Sequence, residues 1–252
     1  MKYDFTSVID RRGKDAMAVD AVGVLPAYET PDEGFDFIPM WVADMNFATV
    51  PTVQKAITER VQHPTFGYFF PREEYYQAII QWQESRNHVT RLTKECIGYE
   101  NGVLGGLVSA LHAFAAPGDS VLVHSPTYIG FTGSITNAGY KIISSPLKQD
   151  EAGVWRMDYE DMDRKIKENQ IHIAVFCNPH NPTGRVWERE ELEKALEVYR
   201  ANDCVVICDE IWSDIILNGN HHIPLQSVNE DARNRVIALY APSKTFNLAG
   251  LI

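Results

Sequence analysis

The stretches that decide the fold are residues 171–179, "IHIAVFCNP", and residues 204–211, "CVVICDEI". Each contains a run of apolar residues that does not alternate with polar ones, which is typical of a strand buried on both faces. Such strands form parallel sheets that helices cover on both sides. The runs end in Asn178 and Asp209. Because open parallel sheets bind ligands at the carboxyl ends of their strands, both residues are candidates for a binding site.

Strand-like and helix-like segments alternate from about residue 95 onwards, which predicts an α/β fold of three layers with a mainly parallel sheet. Residues 1–45 are irregular and predict an N-terminal arm, and residues 46–252 predict one large domain. Besides the two runs above, the predicted strands are 96–100 "CIGYE", 120–126, 140–147 and 235–244. The predicted helices are 51–63, 72–87, 102–115, 128–139, 158–169 and 188–202.

Composition disfavours several classes of function. The 252 residues carry a formal net charge of −11 without a long basic run, so we expect neither nucleic-acid binding nor attachment to a membrane. The sequence predicts no signal peptide and no membrane-spanning run. The four cysteines show neither disulfide nor metal-ligand spacing, so we expect reduced thiols and a cytoplasmic location. His221 and His222 lack further ligands at the spacing of a zinc site.

Three further segments contain candidate ligand-binding residues at the ends of predicted strands. Residues 101–107, "NGVLGGL", put small residues at a helix start, which predicts either a phosphate seat or only a close-packed helix. Tyr128 follows the next strand, where its ring either covers a flat ligand or packs in the core. Residues 177–184, "CNPHNPTG", form a rigid turn that fixes the side chains of Asn178 and Asn181.

Two charged residues complete the group. A buried carboxylate at Asp209 should meet a cation or a strong hydrogen-bond donor. Lys244 ends the last predicted strand and is either an amine nucleophile in an apolar pocket or an exposed loop lysine. A phosphate seat, an aromatic cover, an asparagine, a buried acid and a reactive amine are together what pyridoxal phosphate requires. The sequence therefore predicts a pyridoxal phosphate site with Lys244 as the covalent carrier.

The order of "NPHNPTG" (178–184), "DEI" (209–211) and "SKTFNLAGL" (243–251) resembles the fold-type I, aspartate-aminotransferase-like pyridoxal phosphate enzymes. Within them, "WVADMNFATVPTV" (41–53) and "FGYF" (66–69) resemble the cystathionine β-lyase, or cysteine-S-conjugate β-lyase, branch. This resemblance covers essentially the whole chain. It implies a carbon–sulfur β-lyase that converts L-cystathionine or cysteine S-conjugates to pyruvate, ammonia and a thiol. An aminotransferase and an inactive fragment are the alternatives; a nucleotide-binding domain would lack its glycine fingerprint here.

The resemblance implies a role for each matching residue. Lys244 would carry the cofactor and move the Cα proton, and Asp209 would pair with the ring nitrogen. Asn181 would hydrogen-bond the phenolic oxygen and Tyr128 would stack on the ring. The other implied cofactor-binding residues are Asn178, Trp212, the backbone of Val103 and Leu104, the Ser243 hydroxyl, and Tyr68 of a neighbouring subunit. Tyr68 implies a homodimer with shared active sites, although the aromatic residues around it also suit an ordinary apolar interface.

The sequence departs from the family pattern at several positions. Trp212 stands where aminotransferases have tyrosine and the lyases histidine, Ala241 stands where a phosphate-binding serine is usual, and Asn46 replaces an acid. The family continues beyond the lysine into a further strand, a long helix and a C-terminal small domain, whereas this sequence stops at Leu251 and Ile252. We therefore predict that the small domain is absent and that the sequence is part of a longer chain.

Overall fold

The structure is a computed structural model that describes residues 3–35 and 37–251. The chain divides into two compact units, Met1–Phe69 with Pro242–Ile252, and Phe70–Ala241. The boundary predicted between residues 45 and 46 stays a prediction, and Ile252 lies outside the described residues.

Regular structure begins at Met17, and most helices and strands lie after residue 72. The helices are α1 (Met17–Asp20), α2 (Pro51–Val61), α3 (Glu73–Asn87), α4 (Gly102–Phe114), α5 (Ile129–Asn137), α6 (Tyr159–Glu168), α7 (Arg189–Ala201), α8 (Glu230–Arg235) and α9 (Pro242–Thr245). The strands are β1 (Ser120–Ser125), β2 (Lys141–Pro146), β3 (Lys148–Gln149), β4 (Trp155–Arg156), β5 (Ile173–Cys177), β6 (Val205–Asp209) and β7 (Val236–Leu239). Short 3₁₀ helices lie at Lys94–Cys96, Leu225–Ser227 and Ala249–Leu251.

The larger unit, residues 70–241, is built on a sheet of five parallel strands in the order β2-β1-β5-β6-β7. Its register sets Cys177 of β5 opposite Asp209 of β6, and Asp209 opposite Leu239 of β7. The strands therefore end at one level. The predicted parallel α/β architecture is confirmed.

Both faces of this sheet are buried. Successive side chains of each central strand point to opposite faces, and each face packs against its own set of helices. On one face Phe176 and Cys208 pack in a cluster with Leu192 and Leu196 of α7. On the other face the partners include Leu107 and Leu111 of α4 and Phe131 and Ile135 of α5, and the strand residues there are Val121, Val123, Ile173, Val175 and Ile207. Helices thus cover the sheet on both sides, as the non-alternating apolar runs predicted.

The strand predicted at 96–100 is wrong. Lys94–Cys96 form a 3₁₀ turn, and residues 97–100 belong to none of the described strands. The hairpin of β3 and β4 was not predicted, and neither was α8. Among the described residues, no helix is both long and apolar enough to cross a membrane.

A buried histidine on β1 makes the stability depend on pH. Burial lowers the pKa of His124 to about 3, with His180 as a smaller cause. The folded chain therefore binds fewer protons than the unfolded chain between about pH 3 and pH 6.5, so stability falls as the pH drops below 6.5. At pH 5 the loss from this group should be about 2 kcal/mol. Urea unfolding curves at pH 7 and pH 5 measure this difference in the free energy of unfolding.

The matched variants for this prediction are His124→Gln and His112→Gln, the second at an exposed position of α4. The first should reduce the difference between the two melts, and the second should not. An unchanged pH dependence in His124→Gln would contradict this role of the histidine.

Candidate functional site

In the larger unit, the predicted strand-end residues Asn178 and Asp209 lie side by side. Asp209 is the last residue of β6, and its backbone oxygen accepts a hydrogen bond of 2.9 Å from the N–H of Asn178. Asp209 is only 6% exposed, and its Oδ1 accepts the N–H of Ile211 at 3.0 Å. The register of β5 and β6 thus brings an amide side chain and a carboxylate to one edge of the sheet.

The turn after β5 is held by its own side chains. His180 contacts the Thr183 hydroxyl through Nδ1 at 2.8 Å and forms an isolated bridge with Arg185. Trp187 donates from Nε1 to the oxygen of Cys177 at 2.9 Å. Asn181 is half-buried in this turn. The rigid turn that the asparagine–proline pairs predicted is therefore present.

The buried side-chain amide of Asn178 is hydrogen-bonded through its nitrogen but not through its oxygen among the described residues. It is fully buried, and its Nδ2 donates to the oxygen of Ile223 at 2.8 Å. Its Oδ1 is buried too and has no hydrogen-bond partner within the described part of the chain. Leaving a buried acceptor unpaired is costly, so this oxygen is a place for a donor from a bound group.

The start of α4 leaves backbone donors available for an anion. Gly102 has a positive φ of 75°, and the preceding Asn101 makes no side-chain capping hydrogen bond. The first N–H groups of a helix have no partner within the helix, and the helix dipole favours negative charge there. The N–H groups of Val103 and Leu104 belong to this first turn.

Tyr128 lies close to that helix start. A Cβ built on Gly130 would come within 2.3 Å of the Tyr128 ring and 3.1 Å of Leu104 Cδ1, so both side chains pack over this glycine. The Tyr128 ring meets Phe131 edge-on, with centroids 5.4 Å apart, and is 36% exposed. It is thus neither a core residue nor a freely exposed one.

Two residues that follow Asp209 in the chain, Glu210 and Trp212, lie at the same end of β6. The sequence predicted a role in the site only for Trp212. Trp212 is half-buried in the turn that follows β6. Glu210 is fully buried and accepts hydrogen bonds from His222 Nε2 at 2.8 Å and from the N–H of Leu225 at 2.9 Å. The sequence pattern that could have pointed to Glu210 is a second acid directly after Asp209 at the end of an apolar strand.

Lys244 and Ser243 lie in the smaller unit, residues 1–69 with 242–252. Lys244 is half-buried in α9, and its Nζ donates to the oxygen of Ala43 at 3.0 Å. Three residues later, Asn247 binds the backbone of Met45 from both ends of its amide, at 3.1 and 2.9 Å. The lysine turn is therefore fixed to the "WVADMNF" segment. Ser243 is buried, and Tyr68 is fully exposed.

A sequence model of the aminotransferase class I and II family matches residues 36–251 of the chain. The chain belongs to this family. The predicted resemblance to fold-type I enzymes is thus confirmed, and the family match includes the lysine turn.

Several similar proteins are named as carbon–sulfur lyases. The chain is 38% identical over 216 residues, 86% of its length, to the cystathionine β-lyase PatB of Bacillus subtilis. It is 34% identical to the C–S lyase of Staphylococcus hominis with bound pyridoxal phosphate, with a TM-score of 0.88. It is 32% identical to cystalysin of Treponema denticola, which contains the same cofactor, with a TM-score of 0.90. Each structure covers 100% of this chain.

The chain spans 55% of the length of PatB and 62% of each of those two structures. The prediction that it is part of a longer chain stays a prediction.

Proposed function

We propose that the chain is the cofactor-binding part of a pyridoxal phosphate-dependent carbon–sulfur β-lyase. Its substrate would be L-cystathionine or a cysteine S-conjugate, and its products pyruvate, ammonia and a thiol. The observation that carries this proposal is the 38% identity to a cystathionine β-lyase over 86% of the chain. The pyridoxal phosphate in the similar structures of the Staphylococcus hominis C–S lyase and of cystalysin supports the same assignment.

The residues of the larger unit fit this cofactor. The first turn of α4 offers backbone N–H groups to a phosphate. The half-exposed Tyr128 ring offers a flat apolar surface, and Asp209 offers a carboxylate to a ring nitrogen. Oδ1 of Asn178, which has no hydrogen-bond partner among the described residues, offers an acceptor. These are the groups that an anionic, aromatic, nitrogen-containing ligand requires.

When bound, pyridoxal phosphate supplies an electron sink beside the Cα atom of an amino acid. The Lys244 amine would hold the cofactor and then accept the Cα proton as a general base. Asp209 would keep a proton on the ring nitrogen, and Val103, Leu104 and Ser243 would bind the phosphate. Asn178 and Asn181 would orient the ring. The indole N–H of Trp212 could donate a hydrogen bond to the cofactor but could not titrate.

The assay that tests the proposal is incubation of the purified chain with pyridoxal phosphate and L-cystathionine, followed by measurement of pyruvate and free thiol. Formation of both supports the lyase. The family name favours an aminotransferase as the second candidate. That activity would instead release a keto acid only when a second keto acid is supplied. Absence of both products, with bound cofactor, would show an inactive fragment.

We further propose a homodimer in which Tyr68 reaches the cofactor phosphate of the neighbouring subunit. The support is its full exposure within an aromatic segment, in which Phe66 and Phe69 are exposed as well. A cytoplasmic location is proposed from the four cysteines, which are all free. Sedimentation of the chain with and without cofactor measures the oligomeric state.

Adding one methyl group beside Tyr128 should weaken cofactor binding without unfolding the chain. In Gly130→Ala the new Cβ would overlap the Tyr128 ring, which must swing away. The loss of about 1 kcal/mol of ring contact corresponds to roughly a fivefold higher Kd for pyridoxal phosphate. Fluorescence titration measures this Kd.

Gly133→Ala is the matched control, because it lies in the same helix and its Cβ meets nothing within 4 Å. Alanine favours a helix over glycine, so neither variant should be much less stable. Equal affinities in both variants would show that the Tyr128 ring does not contact the cofactor.

A further inference from the structure

Glu210 is a fully buried acid to which the proposed function gives no role. Four donors point at its two oxygens. Oε1 accepts from the N–H of Leu225 at 2.9 Å and from Cys208 Sγ at 3.3 Å. Oε2 accepts from His222 Nε2 at 2.8 Å and from the Tyr240 hydroxyl. A carboxylate is an acceptor-only group with room for four hydrogen bonds, so these donors satisfy it completely.

The partners of Glu210 are also partners of the candidate site. Residues 222–225, which we name the strap, supply two of the four donors. The same strap accepts the Asn178 side chain at the oxygen of Ile223, at 2.8 Å. One short segment therefore holds both Glu210 and Asn178, although Asn178 belongs to a different strand end.

The backbone on either side of Glu210 is tied to the neighbouring strand ends. The N–H of Glu210 donates to the oxygen of Leu239 at 3.0 Å, and the oxygen of Asp209 accepts from Asn178 at 2.9 Å. Tyr240 follows β7 directly. Asp209 thus lies between an Asn178 fixed by the strap and a Glu210 fixed by the strap and by Tyr240, which limits how far its carboxylate can move.

The His222 ring agrees with this arrangement. Its side chain is 3% exposed, and Nδ1 has no hydrogen-bond partner in the part of the chain that the structure describes. A proton on Nε2 is needed for the bond to Glu210, and the neutral tautomer then leaves only a lone pair unpaired at Nδ1.

We propose that Glu210 is a positioning residue, which holds the strap and thereby sets the placement of Asp209 and Asn178 for the cofactor. This inference rests on the proposed pyridoxal phosphate site. It assigns Glu210 no contact with the cofactor or the substrate. Buried, fully connected polar networks of this kind fix a single arrangement of the groups that they join.

Glu210→Gln tests this role most strongly, because an amide replaces one acceptor oxygen with an NH₂ group that faces two donors. Tyr240→Phe is the milder test, since it removes one hydroxyl donor and retains the ring. Tyr199→Phe is the matched control, because it removes another buried hydroxyl of the same unit, whose described hydrogen-bond partner is His124 Nε2, at 3.4 Å, and not Glu210.

The measurement is the Kd of the intact chain for pyridoxal phosphate, well below the thermal midpoint of each variant. We expect Kd to rise about tenfold or more in Glu210→Gln and about threefold in Tyr240→Phe, and to change less than about twofold in Tyr199→Phe. A purely structural role would lower the thermal midpoint of all three variants and leave Kd unchanged.

An unchanged Kd in both Glu210→Gln and Tyr240→Phe, or an equal rise in Tyr199→Phe, would overturn the positioning role alone. If the unsubstituted chain bound no pyridoxal phosphate, the proposed function itself would fail, and the positioning role with it. A readout on the cofactor-free chain is the low-field NMR signal of the His222 Nε2 proton. It should be present in the unsubstituted chain and in Tyr199→Phe, and be shifted or lost in Glu210→Gln; its absence from the unsubstituted chain would overturn the network.

Discussion

Replacing Lys244 with alanine should abolish both the covalent attachment of pyridoxal phosphate and the lyase reaction. The side chain supplies the only amine that we propose for carrying the cofactor and for accepting the Cα proton. General-base catalysis alone contributes about 10²–10⁴-fold to a rate, so we expect at least that loss in kcat/KM. The absorption of lysine-bound cofactor at the blue edge of the visible spectrum should disappear as well.

The fold should survive this substitution. Lys244 lies in the short helix α9, where alanine is tolerated, and the bond from Nζ to the oxygen of Ala43 is among the contacts that the change removes. The control is Lys55→Ala, at an exposed position of α2 in the same unit. A coloured Lys244→Ala protein with unchanged turnover would disprove the assignment of the lysine.

Replacing Asp209 with asparagine should reduce turnover on the order of 10²–10³-fold, because a neutral amide cannot hold a proton on the cofactor ring nitrogen by charge. The variant should still bind pyridoxal phosphate covalently, since Lys244 is intact. The two measurements are kcat/KM for L-cystathionine and the absorption spectrum of the bound cofactor. The expected pattern is therefore a coloured protein that reacts slowly.

The thermal stability of Asp209→Asn shows whether its loss of turnover comes from the changed charge or from disrupted folding. Asparagine retains the oxygen that accepts the N–H of Ile211, and it removes a buried charge. We therefore expect the thermal midpoint of the cofactor-free chain to stay within a few degrees of its unsubstituted value. Asp203→Asn is the matched control: Asp203 precedes β6 at its amino end, is exposed and has a φ of 51°, which asparagine tolerates. Equal turnover in the two variants would contradict the role of Asp209.

The central strands could be predicted because their signal is local. Residues 173–177 and 205–209 are apolar without alternation, and only a sheet covered on both faces buries such runs. The segment 96–100 is less apolar, since it contains Gly98 and Glu100, and it joins neither of the described sheets. Strands β3 and β4, at two residues each, are too short to produce a pattern.

The candidate site could be predicted only in part, because some of its contacts join residues that are far apart in the sequence. Asp209 and Asn178 follow predicted strands, so their meeting at one sheet edge follows from parallel pairing. The burial of Glu210 depends on the strap 222–225, a dozen or so residues further along the chain and without regular pattern. The bond from Lys244 to Ala43 joins residues 201 positions apart, a contact that local patterns do not encode.

The most direct test of the central claim is chemical trapping of the cofactor on the chain. Purified protein is incubated with stoichiometric pyridoxal phosphate, reduced with borohydride, digested and examined by peptide mass spectrometry. We predict that the pyridoxyl group is found on Lys244. Labelling spread over exposed lysines such as Lys55, or no labelling at all, would contradict the proposal that this chain binds pyridoxal phosphate through Lys244.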